Sequence, residues 1–292
     1  MKYNEGKACD AILRHLESRE GALRFNLFQP EVVADHPAPV ELVCEIGSRL
    51  FAIEHTRIEP FERLEKLKNE APKHFKAVED AIATIVPANE VWELQVPALA
   101  FQGLRKQKNI PTIQRALQSW ITREAPALAK RRYGDYRQPL VQSSGLIPDV
   151  PFEVRLFRFE CPPEVGGRMQ SVHIFQGDLD ASRKQRMNRA CKEKFPKLAW
   201  WKKNKSARTV FLLEDADILL TNEIIVAETY LSITAARTDV PDETYLLSTC
   251  VNNSWTLVPL LINGNSLFQL SGDGPLCHWN VDPETLSPVT NR

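Results

Sequence analysis

Three glutamates, Glu41, Glu45 and Glu54, sit on either side of Gly47-Ser48 in two runs rich in strand-forming residues, 40–46 and 49–56. Glycine at the first position of a two-residue connection suits a type II′ turn, whose twist matches that of the strands it joins. Such a turn sets Ile46 opposite Arg49 and Glu41 opposite Glu54. Side chains alternate along a strand, so Leu42, Cys44, Ile46, Phe51 and Ile53 form a core face, while Glu41, Val43, Glu45, Leu50, Ala52, Glu54 and Thr56 share the other. Like charges placed directly opposite one another destabilise a strand pair by up to ~1 kcal/mol, so Glu41 and Glu54 require a compensating cation or a solvated position. A hard divalent ion such as Mg²⁺ provides that compensation, since it is commonly held by one or two carboxylates plus water and phosphate oxygens. Small Ala52 beside the pair leaves space for a substrate. The alternative is a solvent-facing hairpin whose glutamates pair with Lys or Arg.

The elements that must position these acids follow from periodicity and turn signals. Residues 5–20 place Ala8, Ile12, Leu13 and Leu16 at helical spacing and stop at Gly21, which predicts an opening amphipathic helix. Helical patterns also cover residues 60–80, 110–130, 181–205 and 222–237, and strand patterns 91–101, 209–214 and 244–249. Two hairpins are expected: 152–159 with 170–175, joined through Pro162-Pro163 and Gly166-Gly167, and 255–268, turning at Asn263-Gly264. Pro196 is expected to break or kink the helix over 181–205, so that only one of Lys194 and Lys197 reaches the carboxylates. This alternation of elements argues for an α/β or α+β fold. The expected layout is a discontinuous core of residues 1–60 and 180–268, a helical and hairpin insertion over 61–179, and a tail from 269 to 292.

The order of opening helix, acidic strand Pro39-Val40-Glu41, tight turn and strand Phe51-Ala52-Ile53-Glu54-His55-Thr56 resembles the core of the PD-(D/E)xK nuclease-like superfamily. The resemblance implies a restriction-endonuclease-like core with a mixed central sheet flanked by helices, and metal-dependent cleavage of phosphodiester bonds with Mg²⁺ or Mn²⁺. By the same resemblance Glu41 matches the first acid, Glu54 the second, the carbonyl of His55 a third metal ligand, and Thr56 the place normally held by lysine. Threonine supplies a hydrogen bond but no positive charge there. Some members of the superfamily recruit a basic residue from a core helix, and this chain offers Lys194, the first choice, and Lys197. Thr56 also favours a second expectation, a nuclease-like fold without catalysis that binds nucleic acid or a protein. A purely structural interaction protein is the third.

Charge supports a nucleic-acid partner locally. Lys+Arg 37 against Asp+Glu 37 leaves no net charge and excludes a uniformly basic protein. Between Arg183 and Arg208, however, eleven basic residues face a lone Glu193. Arg183, Arg186, Arg189, Lys197, Lys202 and Lys203 are the candidate phosphate contacts, and Trp200 and Trp201 either stack on bases or belong to the core. A second basic cluster, Lys130-Arg131-Arg132 with Arg137, lies near Tyr133 and Tyr136.

His55 falls on the core face and is expected to be buried and hydrogen-bonded. Asp215 and Asp217 read as turn residues, and Glu214 as a possible neighbour of the site. No apolar run approaches the ~18 residues that span a bilayer, and the first residues lack a secretion signal. Six cysteines form no CxxC pair, so reduced thiols in a cytoplasmic protein are expected. Walker, GxGxxG, GxSxG and HExxH patterns are absent from the sequence.

Overall fold

The computed structural model describes residues 3–59, 64–98, 100, 109–132, 142–174, 178–216, 223–249, 254–267 and 278–289. The chain divides into two compact units, one made of Met1–Glu62 and Asp178–Arg292, the other of Arg63–Gly177. Each carries a mixed sheet flanked by helices. Among the described residues no helix is long and apolar enough to cross a membrane.

The first unit opens with α1 (Tyr3–Glu20), which buries Ala8, Ile12, Leu13 and Leu16 and ends at Gly21, whose φ of +65° suits the left-handed stop of a helix. Strands β1 (Arg24–Phe28), β2 (Leu42–Ile46) and β3 (Arg49–Ile58) follow as an antiparallel set. The sequence reading missed β1, a short edge strand in which Asn26 adopts φ +49° and the pairing shifts register. After the second unit come α4 (Leu179–Lys205), β9 (Arg208–Asp215), α5 (Glu223–Thr234), β10 (Glu243–Ser248), β11 (Trp255–Ile262), β12 (Asn265–Ser266) and β13 (Trp279–Val281).

The sheet runs β1-β2-β3-β9-β10-β11-β12, with β13 also on β11; the β3–β9 and β9–β10 pairs are parallel. Alternation divides its side chains between two cores. Leu42, Cys44, Ile46, Phe51, Ile53, Val210 and Leu212 pack with α1, whereas Val43, Ala52, Phe211, Leu213 and Leu246 pack with residues of α4 and α5. The acidic face of the hairpin is therefore a second buried face beneath α4, not a solvated one. Each large aliphatic or aromatic side chain so buried contributes ~1.5–3 kcal/mol.

Residues 278–289 are not loose: β13 pairs with β11, Leu286 and Val289 enter the α1 core, and Asp10 accepts a bond from the Ser287 amide at 3.0 Å. The turn at Asn263-Gly264 has positive φ at both residues, +51° and +79°, and joins β11 to β12 as expected.

Asp178 caps α4 by accepting from the amides of Asp180 and Ala181. The expected break at Pro196 does not occur, and α4 is one helix of 27 residues. An interior proline costs ~3 kcal/mol. Burial of Met187, Cys191, Phe195, Leu198 and Trp201 along the same helix offsets that cost.

In the second unit, strands β4 (Glu90–Pro97), β5 (Arg131–Arg132), β6 (Ser143–Gly145), β7 (Val154–Glu160) and β8 (Arg168–Ile174) form a sheet of order β5-β7-β4-β8, with β6 also on β7, and α2 (Leu64–Ala83) and α3 (Ile110–Glu124) pack on it. Strands β7 (Val154–Glu160) and β8 (Arg168–Ile174) are not a hairpin. They flank β4 (Glu90–Pro97), antiparallel and parallel respectively. Their connection closes over the start of β4, where the Cys161 and Gly167 amides donate to the carbonyls of Asn89 and Glu90 at 2.9 and 2.8 Å. A Cβ on Gly166 would stand 2.1 Å from the Ala88 carbonyl oxygen, so only glycine allows this approach.

Candidate functional site

The turn at Gly47-Ser48 sets the site. Gly47 has φ +61° while Ser48 does not enter the positive region, which suits a type II′ turn. The ladder runs from Ile46–Arg49 to Leu42–Ile53, the expected register. Glu41 stands one residue beyond its end, where its carboxylate reaches across β3: Oε2 accepts a bond from the His55 amide at 3.1 Å. Glu54 projects beneath α4 and its residue is 0% exposed.

The cation between the two acids is Lys194. Its Nζ donates to Glu41 Oε1 at 2.9 Å and to Glu54 Oε2 at 2.5 Å. Because α4 is unbroken, Lys197 one turn on lies on the same side, with Nζ 3.3 Å from Glu54 Oε1. Both lysines therefore reach the carboxylates, and the expectation that only one would is corrected. The Lys197 contact is an ion pair without hydrogen-bond alignment, which leaves Glu54 Oε1 buried with no hydrogen-bond donor. Helix α4 also fixes the loop that presents Glu41, since Trp201 Nε1 donates to the Ala38 carbonyl at 2.8 Å.

Burial pushes the Glu54 carboxyl up to about 7, against the pull of Lys194 and with a further push from Glu41. Burial works against the charge on Lys194, but Glu41 and Glu54 outweigh it and hold the pKa above the ordinary lysine value. At neutral pH the lysine keeps its proton, while burial favours the protonated form of Glu54.

On the other face, His55 is buried and hydrogen-bonded, as its strand position predicts: Nε2 lies 2.9 Å from Glu214 Oε2 and Nδ1 3.7 Å from Glu41 Oε2. Burial opposes protonation of this ring, yet the bond to Glu214 and the charge of Glu41 raise its pKa. Burial tends to raise Glu214, but His55 and Thr249, whose Oγ1 donates at 2.9 Å, hold it below the ordinary carboxylate range. Glu31, in the turn after β1, also feels the site: burial and then Glu41 raise its pKa. Thr249 and Glu31 gave no sequence signal, Thr249 because it is distant in the chain from the acidic hairpin and Glu31 because it belongs to an irregular turn that carries no periodicity.

Among the described residues no group of three or more His, Cys, Asp or Glu side chains is arranged to hold a metal ion. The donor set available to a hard cation is two carboxylates and one carbonyl. In a strand, a residue's N–H and C=O point to the same side. The His55 N–H donates to Glu41, so its carbonyl leaves β3 on the same side; that oxygen, the Glu41 carboxylate and the undonated Glu54 Oε1 suit a hard divalent ion in chemical type. Thr56 is half-buried one strand position beyond.

The basic residues of α4 divide. Arg183 is 1% exposed and bonded to Asp180, which removes it from any solvent-facing phosphate surface. Arg186 pairs with Glu59 at 3.4 Å, the exposed Arg189 with Glu193 at 2.8 Å, and Lys202 with Asp242 at 2.6 Å. Lys203 is exposed and, among the described residues, has no ion-pair partner. Trp201 is buried, and Trp200 is half-buried and packs against the same core while keeping part of its surface in solvent.

In the other unit Lys130 is engaged by Glu90 at 2.7 Å, and Arg131 and Arg132 form β5; Tyr133, Tyr136 and Arg137 lie outside the described residues, as does Asp217. A cleft of about 600 Å³ lined by Arg14, His15, Arg19, Tyr245 and Trp279 lies on the α1 face, away from Glu54. Its arginines are bound to Asp10, Thr285 and Glu243. No family model, curated protein or solved structure matches the chain.

Proposed function

We propose that the protein is a metal-dependent nuclease with a restriction-endonuclease-like core, into which the second unit is inserted, and that Glu41, Glu54 and the His55 carbonyl hold Mg²⁺ or Mn²⁺. The observation that carries this reading is the convergence of two carboxylates from adjacent strands with two lysines of one helix, Lys194 at 2.9 and 2.5 Å and Lys197 at 3.3 Å. When bound, such an ion supplies the charge that polarises a phosphodiester and acidifies water. The chain's own residues do the rest. Glu41 and Glu54 orient the reacting groups, and Lys194 and Lys197 place positive charge where negative charge develops on phosphorus. Lys194 thereby takes the part that Thr56, one residue past His55, lacks the charge to play. The His55–Glu214 pair steadies Glu41 from the opposite face.

A second reading has its own observation. The Lys194 ammonium already bridges both carboxylates, which is what a nuclease-like fold without catalysis that serves binding would keep. Incubation with single-stranded, duplex and branched nucleic acids, with and without Mg²⁺ or Mn²⁺, separates the two. The nuclease reading expects metal-stimulated cleavage that Glu54→Ala abolishes while the variant keeps its folded circular dichroism. Cleavage unchanged in that variant rejects the assignment. Salt-sensitive binding with no cleavage on any substrate selects the second reading.

A further inference from the structure

Along α4 four residues recur at a spacing of three: Lys194, Lys197, Trp200 and Lys203. Residues three apart are neighbours on a helix surface. At 1.5 Å and about 100° per residue, the row rises roughly 13 Å along α4 while winding about half-way round it, from Lys194 over the carboxylates to Lys203 on the other side of the helix. Lys197 is partly exposed and Lys203 exposed, and Trp200 lies between them in the chain, packed on one side against the core.

The tryptophan does not stand alone. His36 packs edge-on against it at 5.8 Å and lies flat on Trp201 at 5.4 Å, with an interplanar angle of 5°. Phe28, 40% exposed, approaches Trp201 at 6.1 Å. Val32 and Val33, both exposed, follow Phe28 in the turn after β1. The result is a partly exposed aromatic shelf, backed by the buried Trp201 ring and flanked along the helix by ammonium groups.

We propose that this shelf is a stacking site for an unpaired base of single-stranded nucleic acid, with the neighbouring phosphates on Lys197 and Lys203 and the strand running toward Glu54. Every base has a π-face, so stacking on Trp200 tolerates any sequence, whereas the two lysines meet the charge that repeats along the backbone. A duplex hides its base faces within its own stack and offers the shelf only phosphates. The inference rests on the nuclease reading for the direction of the strand, but the binding itself requires neither metal nor cleavage.

The test is anisotropy of a fluorescein-labelled 12-nucleotide oligothymidylate and of a hairpin duplex of matched charge, both in EDTA, with the full-length chain. Trp200→Ala should weaken oligothymidylate binding about tenfold, Trp200→Phe should restore most of it, and the hairpin should bind the parent and both variants alike. The exposed Lys203→Ala should lower the slope of log K against log salt by about 0.7. Equal affinity of Trp200→Ala and the parent for oligothymidylate, or tighter binding of the hairpin than of the single strand, overturns the proposal. A chain that shows the Trp200 dependence yet never cleaves with metal keeps the shelf and loses the nuclease. A Glu54-dependent nuclease indifferent to Trp200 does the reverse.

Discussion

Glu54→Gln removes a charge that the native fold disfavours, and the effect can be sized. The carboxyl is 0% exposed, and burial raises its pKa from 4.5 to about 7 even with Lys194 beside it. The unfolded chain ionises the same group near its ordinary value. Below that value both states hold the proton, so no penalty arises; above about 7 both states have lost it and the native state carries the whole penalty. A pKa raised on folding therefore makes stability fall as pH rises through this window. At about 1.4 kcal/mol per unit the penalty amounts to about 3 kcal/mol. Full burial leaves no solvent screening to discount it.

Glutamine is close in shape and neutral throughout, and other titrating groups cancel in a difference. The stability of Glu54→Gln minus that of the parent should thus rise by about 3 kcal/mol between about pH 4 and about pH 8. Urea unfolding followed by tryptophan fluorescence and circular dichroism at five pH values measures it. A difference that is flat, or that falls with pH, refutes the reasoning. Glu54 would then be ionised in the native state throughout, held by Lys194 more strongly than burial opposes it.

Three further outcomes are expected. Mg²⁺ at about ten times its dissociation constant should stabilise the parent by about 1.4 kcal/mol. That is about 2 °C in calorimetry for a chain of this size, and either Glu41→Gln or Glu54→Gln should remove the shift; no shift in the parent denies the divalent site. Glu243, buried beneath Arg19 at 2.6 and 2.9 Å, Arg208 and the Tyr245 hydroxyl, ties α1 to β10. Glu243→Ala leaves two half-buried guanidinium groups without their partner and should cost about 3 kcal/mol in urea unfolding, a loss under about 1 kcal/mol marking the cluster as solvated instead. Lys194→Gln withdraws the strongest pull on Glu54, so that variant should lose stability against the parent more at pH 8 than at pH 5; an equal loss at both means that Lys194 does not govern the ionisation of Glu54.

The parts of the fold that could be read from the chain are those where one local rule dominates. A two-residue turn with glycine first fixes register, and period-two alternation then assigns each face, so Glu41 and Glu54 fall together without any knowledge of the remaining strands. Where two rules compete, local reading fails. Pro196 lacks an amide hydrogen and locally argues for a break, but five apolar side chains buried along α4 keep the helix continuous through it. The runs that became β7 and β8 have hairpin punctuation between them, yet β4, which ends nearly 60 residues before β7 begins, inserts itself as the shared partner of both. Alternation likewise told which side Val43 and Ala52 occupy but not what covers it, because α4 arrives from the far side of the second unit's sequence.

The same division applies to the chemistry. That two carboxylates brought opposite each other need positive charge between them follows from Coulomb repulsion and the register alone. Which cation answers does not, because Lys194 lies 153 residues from Glu41 and reaches it only through the parallel pairing of β3 with β9 that seats α4 above Glu54. A lysine satisfies the charge requirement at a desolvation cost of its own, and it leaves Glu54 Oε1 buried with no hydrogen-bond donor. A site evolved only for stability would gain by giving that oxygen a donor or replacing Glu54 with an apolar residue. A buried acid whose pKa is raised beside two lysines fits the proposed exchange of its partner for a metal ion, and it makes Glu54, rather than the more exposed Glu41, the residue on which the proposed function turns.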